Sequence, residues 1–208
     1  DWEKLSNNNS LSWSEKLLER YKDKWNWGAL GLSVNKSLPW SETLIESYKD
    51  KWDWGALGLS VNKSLPWSEL LIKRFKHRWD WKTLSGNNSL PWSESLIERF
   101  ADKWEWGGRF GLSHNKSLPW SESFIERFAD KWDWGGNFRS GLSRGHLGRL
   151  YLEYRLGLTG NKFLPWSESL IERYKDKWDW GRFGLSGNKS LTWSESLIER
   201  YKDKWSWD

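Results

Sequence analysis

The apolar positions of this chain recur at one fixed interval. The phrase Leu38-Pro39-Trp40-Ser41-Glu42 returns, with small changes, around Trp13, Trp67, Trp92, Trp120, Trp166 and Trp193, giving seven copies. In each copy a Trp-x-Trp pair follows, its first member 12 residues after the leading tryptophan: Trp25/Trp27, Trp52/Trp54, Trp79/Trp81, Trp104/Trp106, Trp132/Trp134, Trp178/Trp180 and Trp205/Trp207. That segment never changes length. From the second tryptophan of a pair to the next leading one, the count does vary: 13 residues from Trp27 to Trp40, 11 from Trp81 to Trp92 and 14 from Trp106 to Trp120. A constant segment alternating with variable ones reads as a regular element joined by loops, and a period of this size marks a repeat architecture.

At 100° per residue, Trp40, Leu44, Ile45, Tyr48 and Trp52 fall within about 140° of one helical face, with Glu42, Glu46, Lys49 and Asp50 opposite. The spacing predicts one amphipathic helix of about 13 residues, roughly 20 Å long. Pro39 is expected in its first turn with Ser37 or Leu38 at the cap, Glu42 at the positive start, and Lys49 and Lys51 at the negative end. Gly55 then stops it. Asp53 is expected to cap a short turn carrying Trp54 and Leu57, and the Leu-Ser-x-Asn-Lys-Ser phrase, as in Leu59 to Ser64, reads as a polar turn. No single unit can bury such a two-sided apolar set, so neighbours must stack. The expected fold class is therefore all-α: an α-solenoid of seven units of about 27 residues, each a long amphipathic helix plus a short turn or 3-10 segment. With helices about 10 Å apart, it would be a rod or shallow superhelix roughly 70 Å long. One repeat array spans 1–208, with an irregular insert or degenerate unit at about 139–157, because 32 residues separate Trp134 from Trp166 where 13 are usual. The stretch 144–155 reads either as a worn repeat helix without its tryptophans or as a new loop.

Composition sharpens this picture. Only 37% of the 208 residues are hydrophobic but 22 are tryptophan, so indoles must supply most of the core mass. The absence of cysteine excludes disulfides, thiolate nucleophiles and zinc-thiolate sites together. Methionine is also absent, and the chain opens inside the repeat phrase at Asp1-Trp2-Glu3-Lys4-Leu5-Ser6, which reads as a piece of a longer array. No leader and no run approaching about 18 apolar residues is present, so no membrane span is expected and the piece reads as soluble.

A sequence pI near 9.3 and the abundance of aromatics raise nucleic-acid binding as an alternative function. Arg139, Arg144, Arg149 and Arg155 face only Glu153 in the irregular stretch, a net +3 that leaves +2 of the chain's +5 for everything else. From Lys162 to Asp179, Lys162, Arg173, Lys175 and Lys177 are cancelled by Glu168, Glu172, Asp176 and Asp179. A regular phosphate track would need an uncompensated cation in each unit. Exposed indoles would make a sugar-stacking surface, whereas the apolar stripe assigns them to the core. His77, His114 and His146 share no metal spacing, and Ser41 beside Glu42 is explained by helix capping. No catalytic residue, cofactor or metal is assigned.

The copies differ mainly at the residue after Leu-Ser (Asn7, Val34, Val61, Gly86, His114, Gly160, Gly187) and the residue after Ser-Glu (Lys16, Thr43, Leu70, Ser95, Ser123, Ser169, Ser196). Modular readers line a groove with one variable side chain per repeat; drift at exposed positions is the competing reading. The first set and the four arginines of the irregular stretch are the candidate binding residues. Asn-x-Ser occurs at Asn8, Asn35, Asn62, Asn87, Asn115 and Asn188, as glycosylation acceptors in a eukaryotic secreted protein or as turn residues in a bacterium.

The Leu-Pro-Trp-Ser-Glu helix with its Trp-Asp-Trp ending resembles a class of tryptophan-rich short helical tandem repeats seen mostly in bacterial proteins. The resemblance covers all seven units but not 139–157, and it implies a fold without a settled activity. In plan the alternation of helix and turn is similar to other short-period solenoids, which bind partners along an extended face. The expected function is a non-enzymatic repeat scaffold presenting an extended surface for protein or peptide binding or self-association. Nucleic-acid binding through Trp and Arg, and surface carbohydrate binding, are the alternatives.

Overall fold

The computed structural model describes residues 1–108, 110–135, 157–182 and 184–207. Among these residues all regular structure is helical and no strand occurs. The chain divides into two compact units, Asp1–Trp104 and Glu105–Asp208, built from the same parts. In the first lie α1 (Trp2–Ser6), α2 (Glu15–Arg20), η1 (Leu32–Val34), α3 (Glu42–Ser47), η2 (Leu59–Val61), α4 (Glu69–Arg74), α5 (Trp81–Ser85) and α6 (Glu94–Arg99), η denoting a 3-10 turn. In the second lie η3 (Leu112–His114), α7 (Glu122–Arg127), η4 (Gly157–Gly160), α8 (Glu168–Arg173), η5 (Leu185–Gly187) and α9 (Glu195–Arg200).

The repeat helix is six residues long rather than the thirteen that the apolar spacing predicts, and both of its ends have a local cause. At the start, Pro39 is not in the first turn. The Trp40 N–H bonds back to the Leu38 carbonyl at 2.8 Å across the proline, a tight three-residue turn. The Trp40 indole N–H donates to the Asn35 carbonyl, which holds it outside the helix. Ser41, in extended conformation, then becomes the N-cap and accepts the Leu44 N–H at 3.0 Å. Ser14, Ser68, Ser93, Ser121, Ser167 and Ser194 cap their helices in the same way.

At the other end, Tyr48 leaves helical geometry at φ −119° and ψ 25°. Lys49 N–H then bonds to Glu46 instead of Ile45, and a second single turn closes on the Tyr48 carbonyl through Lys51 and Trp52. The orphaned Ile45 carbonyl is taken by the indole N–H of Trp52 at 3.1 Å. All seven repeats make this bond, from Trp25, Trp52, Trp79, Trp104, Trp132, Trp178 and Trp205. Of the predicted face, Leu44, Ile45 and Trp52 are buried and Lys49 and Asp50 exposed, whereas Trp40, Tyr48, Glu42 and Glu46 are all half-buried.

The Leu-Ser-x-Asn phrase is not a polar surface turn but part of the interior. Leu59 and Ser60 are fully buried and Asn62 nearly so. Ser60 donates to the Trp54 carbonyl at 2.6 Å and accepts the Asp80 N–H of the next repeat at 3.0 Å. Asn62 donates its amide to the Ser33 carbonyl of the previous repeat and accepts the Ser64 N–H. Stacked 3-10 turns thus have their backbone groups satisfied by the neighbouring copy, as any buried segment requires. Ser33, Ser113, Ser186 and Asn87, Asn161, Asn188 repeat these roles within their own compact units. Thr159 replaces serine once, donating to the Trp134 carbonyl.

Loop length varies at one point only. In the 13-residue spacing, Asp53 accepts the Gly55 N–H, and the chain returns so that Leu59 N–H meets the Asp53 carbonyl at 2.7 Å. A Cβ on Gly58 would lie 2.1 Å from that carbonyl oxygen, so glycine is required there. In the 11-residue spacing the loop is absent, and Asp80 caps the continuous helix α5. The long spacing uses the same closure as the ordinary one: Leu158 N–H bonds to the Asp133 carbonyl, with Gly157 at φ +51° in the tight place. The extra residues therefore enter between Gly135 and Gly157, and the repeat resumes in register; the conformation of 136–156 lies outside the described residues.

Two stability outcomes follow from this geometry. Trp52→Phe keeps a ring but strands the buried Ile45 carbonyl, a cost of ~1–3 kcal/mol measurable as a lowered urea midpoint. Gly58→Ala forces a backbone clash costing ~1–3 kcal/mol, whereas Leu57→Ala in the same loop should stay within about 0.5 kcal/mol.

Candidate functional site

Two kinds of tryptophan build the contacts between repeats. The second of each pair lies on the aromatics of the following copy: Trp27 on Tyr48 and Trp52, and Trp54 on Phe75 and Trp79, with ring centroids 4.6 to 4.7 Å apart. Trp134 and Trp180 do the same in the second compact unit. Its indole N–H returns to a carbonyl of its own repeat, as from Trp54 to Lys49 at 2.8 Å. Leading tryptophans are half-buried across most repeats, and apart from the last copy few indoles are open to solvent.

Above each second-pair tryptophan sits a cation of the following repeat. Lys51 covers Trp27, Arg78 covers Trp54, Lys177 covers Trp134 and Lys204 covers Trp180, at 5.2 to 5.8 Å from the ring centre. Each also reaches an aspartate of the preceding repeat: Asp23 at 3.2 Å, Asp50 at 2.5 Å, Asp130 at 3.7 Å and Asp176 at 3.4 Å. The Arg74, Arg173 and Arg200 guanidiniums approach paired glutamates of the preceding repeat in the same sense. These exposed pairs contribute little stability, but they occupy the cations.

The positions that vary after Leu-Ser occupy the rim of the 3-10 column. Within the first compact unit η1 packs on η2 and η2 on α5, which brings Val34, Val61 and Gly86 into one row; Asn7, exposed, follows Ser6 at the end of α1. Within the second, η3 packs on η4, bringing His114 next to Gly160, with Gly187 at the end of η5. Arg139, Arg144, Arg149 and Arg155 lie outside the described residues, as does His146. His77 is exposed on a turn. Among the described residues no cluster of three His, Asp or Glu side chains has metal-holding geometry.

The loop tips carry a signal that the reading of the sequence missed. Leu57, expected on one short turn with Trp54, is 67% exposed, and Leu30 at the same place in the previous repeat is 64% exposed. Phe110 stands at that place in the second compact unit and is also exposed. Each directly precedes the glycine of the tight closure, which turns the side chain outward. The sequence did contain the clue, an apolar residue between glycines in a loop that needs none.

Among the asparagines of Asn-x-Ser, Asn35, Asn62, Asn87 and Asn188 are buried with their amide N–H groups donated to the previous repeat. Asn8, in the first copy, is exposed. In the folded chain the buried amides are closed to a glycosylating enzyme. Comparison with protein-family models, with curated proteins and with solved structures finds nothing that matches this chain.

His114 is the one variable side chain with a displaced titration. Burial holds its imidazolium below the ordinary value of 6.5, against the opposing pull of the Asp133 carboxylate. The unfolded chain therefore takes the proton first as pH falls, and stability drops below about pH 6.5 while being unaffected above it. His114→Val, matching Val34 and Val61, should flatten that part of the urea midpoint against pH; an unchanged slope would mean that the imidazole is freely solvated.

Proposed function

We propose that the chain is a non-enzymatic repeat scaffold, an α-solenoid whose stacked copies present an extended surface to a protein or peptide partner. The observation that carries this reading is the exposed apolar residue at recurring loop tips, Leu30, Leu57 and Phe110, on repeats whose paired tryptophans are mostly committed to stacking. Exposed at 64% and 67%, Leu30 and Leu57 bury little of their apolar surface in the fold and cost solubility, so an apolar partner is the economical reason for them. The resemblance to tryptophan-rich tandem repeats supports the same architecture. The varying rim residues Val34, Val61 and Gly86 lie on the neighbouring 3-10 column, where they would grade specificity from copy to copy.

The nucleic-acid alternative is weakened by the pairing of Lys51, Arg78, Lys177 and Lys204 with aspartates, since a phosphate would have to displace a carboxylate at each step. Surface carbohydrate binding draws support only from the last copy, where Trp193 and Trp207 are exposed.

Peptides selected from a displayed random library on the immobilised chain should be rich in apolar residues. The double substitution Leu30→Asp and Leu57→Asp should weaken them by ~10-fold or more without lowering the thermal midpoint. Peptides indifferent to both substitutions would overturn the assignment of the surface. Binding of single-stranded RNA that weakens steeply with salt would favour the nucleic-acid reading instead.

A further inference from the structure

An arginine set against two glutamates recurs between adjacent repeats, and in one joint the sequence withholds the arginine. Arg74 of α4 lies 4.0 Å from both Glu42 and Glu46 of α3. Arg173 of α8 lies 4.0 Å from Glu122 and 3.0 Å from Glu126 of α7, and Arg200 of α9 lies 3.8 Å from Glu168 and 3.9 Å from Glu172 of α8. At this place in the helix six copies have arginine, as Arg20, Arg74, Arg99, Arg127, Arg173 and Arg200, whereas α3 has Ser47. The two acids that such an arginine would meet are nevertheless kept. Glu15 and Glu19 of α2, with Lys16, Thr43, Leu44, Ser47 and Tyr48, line an open hollow of about 400 Å³.

The remaining groups match the joint between α8 and α9. There Glu172 accepts from Lys175 and from the Tyr201 hydroxyl and still faces Arg200. Glu19 accepts from Lys22 at 2.7 Å and from the Tyr48 hydroxyl at 2.5 Å, so its own bonds leave the same room for a guanidinium. These two bonds, that of Lys22 first, hold the Glu19 carboxyl below its ordinary value and keep it ionised at neutral pH. Glu42, Glu122 and Glu168 each also accept from the serine that caps the next helix, Ser68, Ser167 and Ser194. Glu15 has no such bond: among the described residues it forms neither a hydrogen bond nor an ion pair, and Lys16 on the rim pairs with neither acid.

We propose that the joint between α2 and α3 binds an arginine side chain of a polypeptide partner, whose guanidinium takes the place that Arg74, Arg173 and Arg200 occupy in their own joints. A planar guanidinium carries donors enough for carboxylates on two successive turns, whereas an ammonium is a point charge that favours one of them. The short side chains of Thr43 and Ser47 leave space for the stem that reaches in from solvent. The inference deepens the reading of the chain as a peptide-binding scaffold and rests on it for the source of the arginine. The hollow includes none of Leu30, Leu57 and Phe110, so loss of apolar peptide binding and loss of guanidinium binding are separate results.

Exposed ion pairs are weak singly, so a lone blocked arginine should bind with a Kd on the order of millimolar, tighter at low salt. The test is an NMR titration of the isotope-labelled full chain with N-acetyl-arginine methylamide. Saturable amide shifts should appear at residues 15–19 and 43–48. The citrulline analogue, of the same shape without the charge, should cause none, and the lysine analogue should bind ~3-fold or more weakly. Ser47→Arg supplies the guanidinium from within and should abolish the shifts, whereas Arg200→Ser should open a second site, seen as new shifts around Glu168 and Glu172. Lack of a saturable shift in the parent chain, equal responses to arginine and citrulline, or shifts that survive Ser47→Arg would each overturn the proposal. Free arginine binding ~10-fold tighter than the blocked form would overturn the polypeptide source, since its charged ends would then be part of what is recognised.

Discussion

An indole offers a large apolar plate and a single N–H, and this fold depends on using both at once. Burying the plate without a partner for the N–H would cost on the order of 1–3 kcal/mol at each site. Here the donors go to backbone carbonyls that the short helices leave open, as with Trp52 on Ile45 and Trp54 on Lys49. A six-residue helix has almost no carbonyl satisfied by its own turns, and isolated helices of that length are unstable. The tryptophan makes such a helix tenable by closing its frayed end from the side while covering the neighbouring repeat. Ser60 and Asn62 complete the arrangement, because they close the backbone of the 3-10 turns across the joint.

Much of this was legible in the sequence, and what was not has a common cause. The number of copies, the all-helical class and the buried face of Leu44, Ile45 and Trp52 follow from spacing and residue type, but the cap falls on Ser41 and not on the expected Ser37 or Leu38, because Pro39 lies in a separate turn ahead of the helix. Helix length did not, because a periodic stripe continues smoothly through the kink at Tyr48: residues 48–52 form another helical turn, and a tilt between turns leaves the periodicity almost intact. The interior placement of Ser60 and Asn62 was illegible for a different reason. Their partners lie in adjacent copies, 20 to 29 residues away, and polarity read along the chain assigns them to solvent. A buried polar ladder is visible in sequence only as the refusal of those positions to vary from copy to copy while their neighbour, at Val61 or His114, changes freely. For the rim residues and the loop tips the same logic gives opposite results, since Val34 and Gly86 vary where Leu30 and Leu57 do not.

Tolerance to insertion is concentrated at one point of the repeat. Asp53 and Leu59 fix the two ends of the loop against each other, as do Asp133 and Leu158, so any length that returns to the same glycine leaves the joint unchanged. Loop-closure entropy rises only slowly with length. A deletion instead lets Asp80 cap a continuous helix, with Leu84 and Ser85 in the places of Leu59 and Ser60. The fold therefore separates a part that must stay constant from a part free to acquire new residues, and the exposed Leu30, Leu57 and Phe110 all belong to the free part.

Net charge is a poor guide to the surface of such a repeat. A pI of 9.3 suggests a basic face, but Lys51, Arg78, Lys177 and Lys204 each lie between an indole and an aspartate of the preceding copy. The pairing is offset by one repeat: acids point forward and cations point back. Pairing inside each joint then neutralises these cations locally, whatever the total. The pairing across joints, rather than the excess of five positive charges, sets what a charged partner would meet.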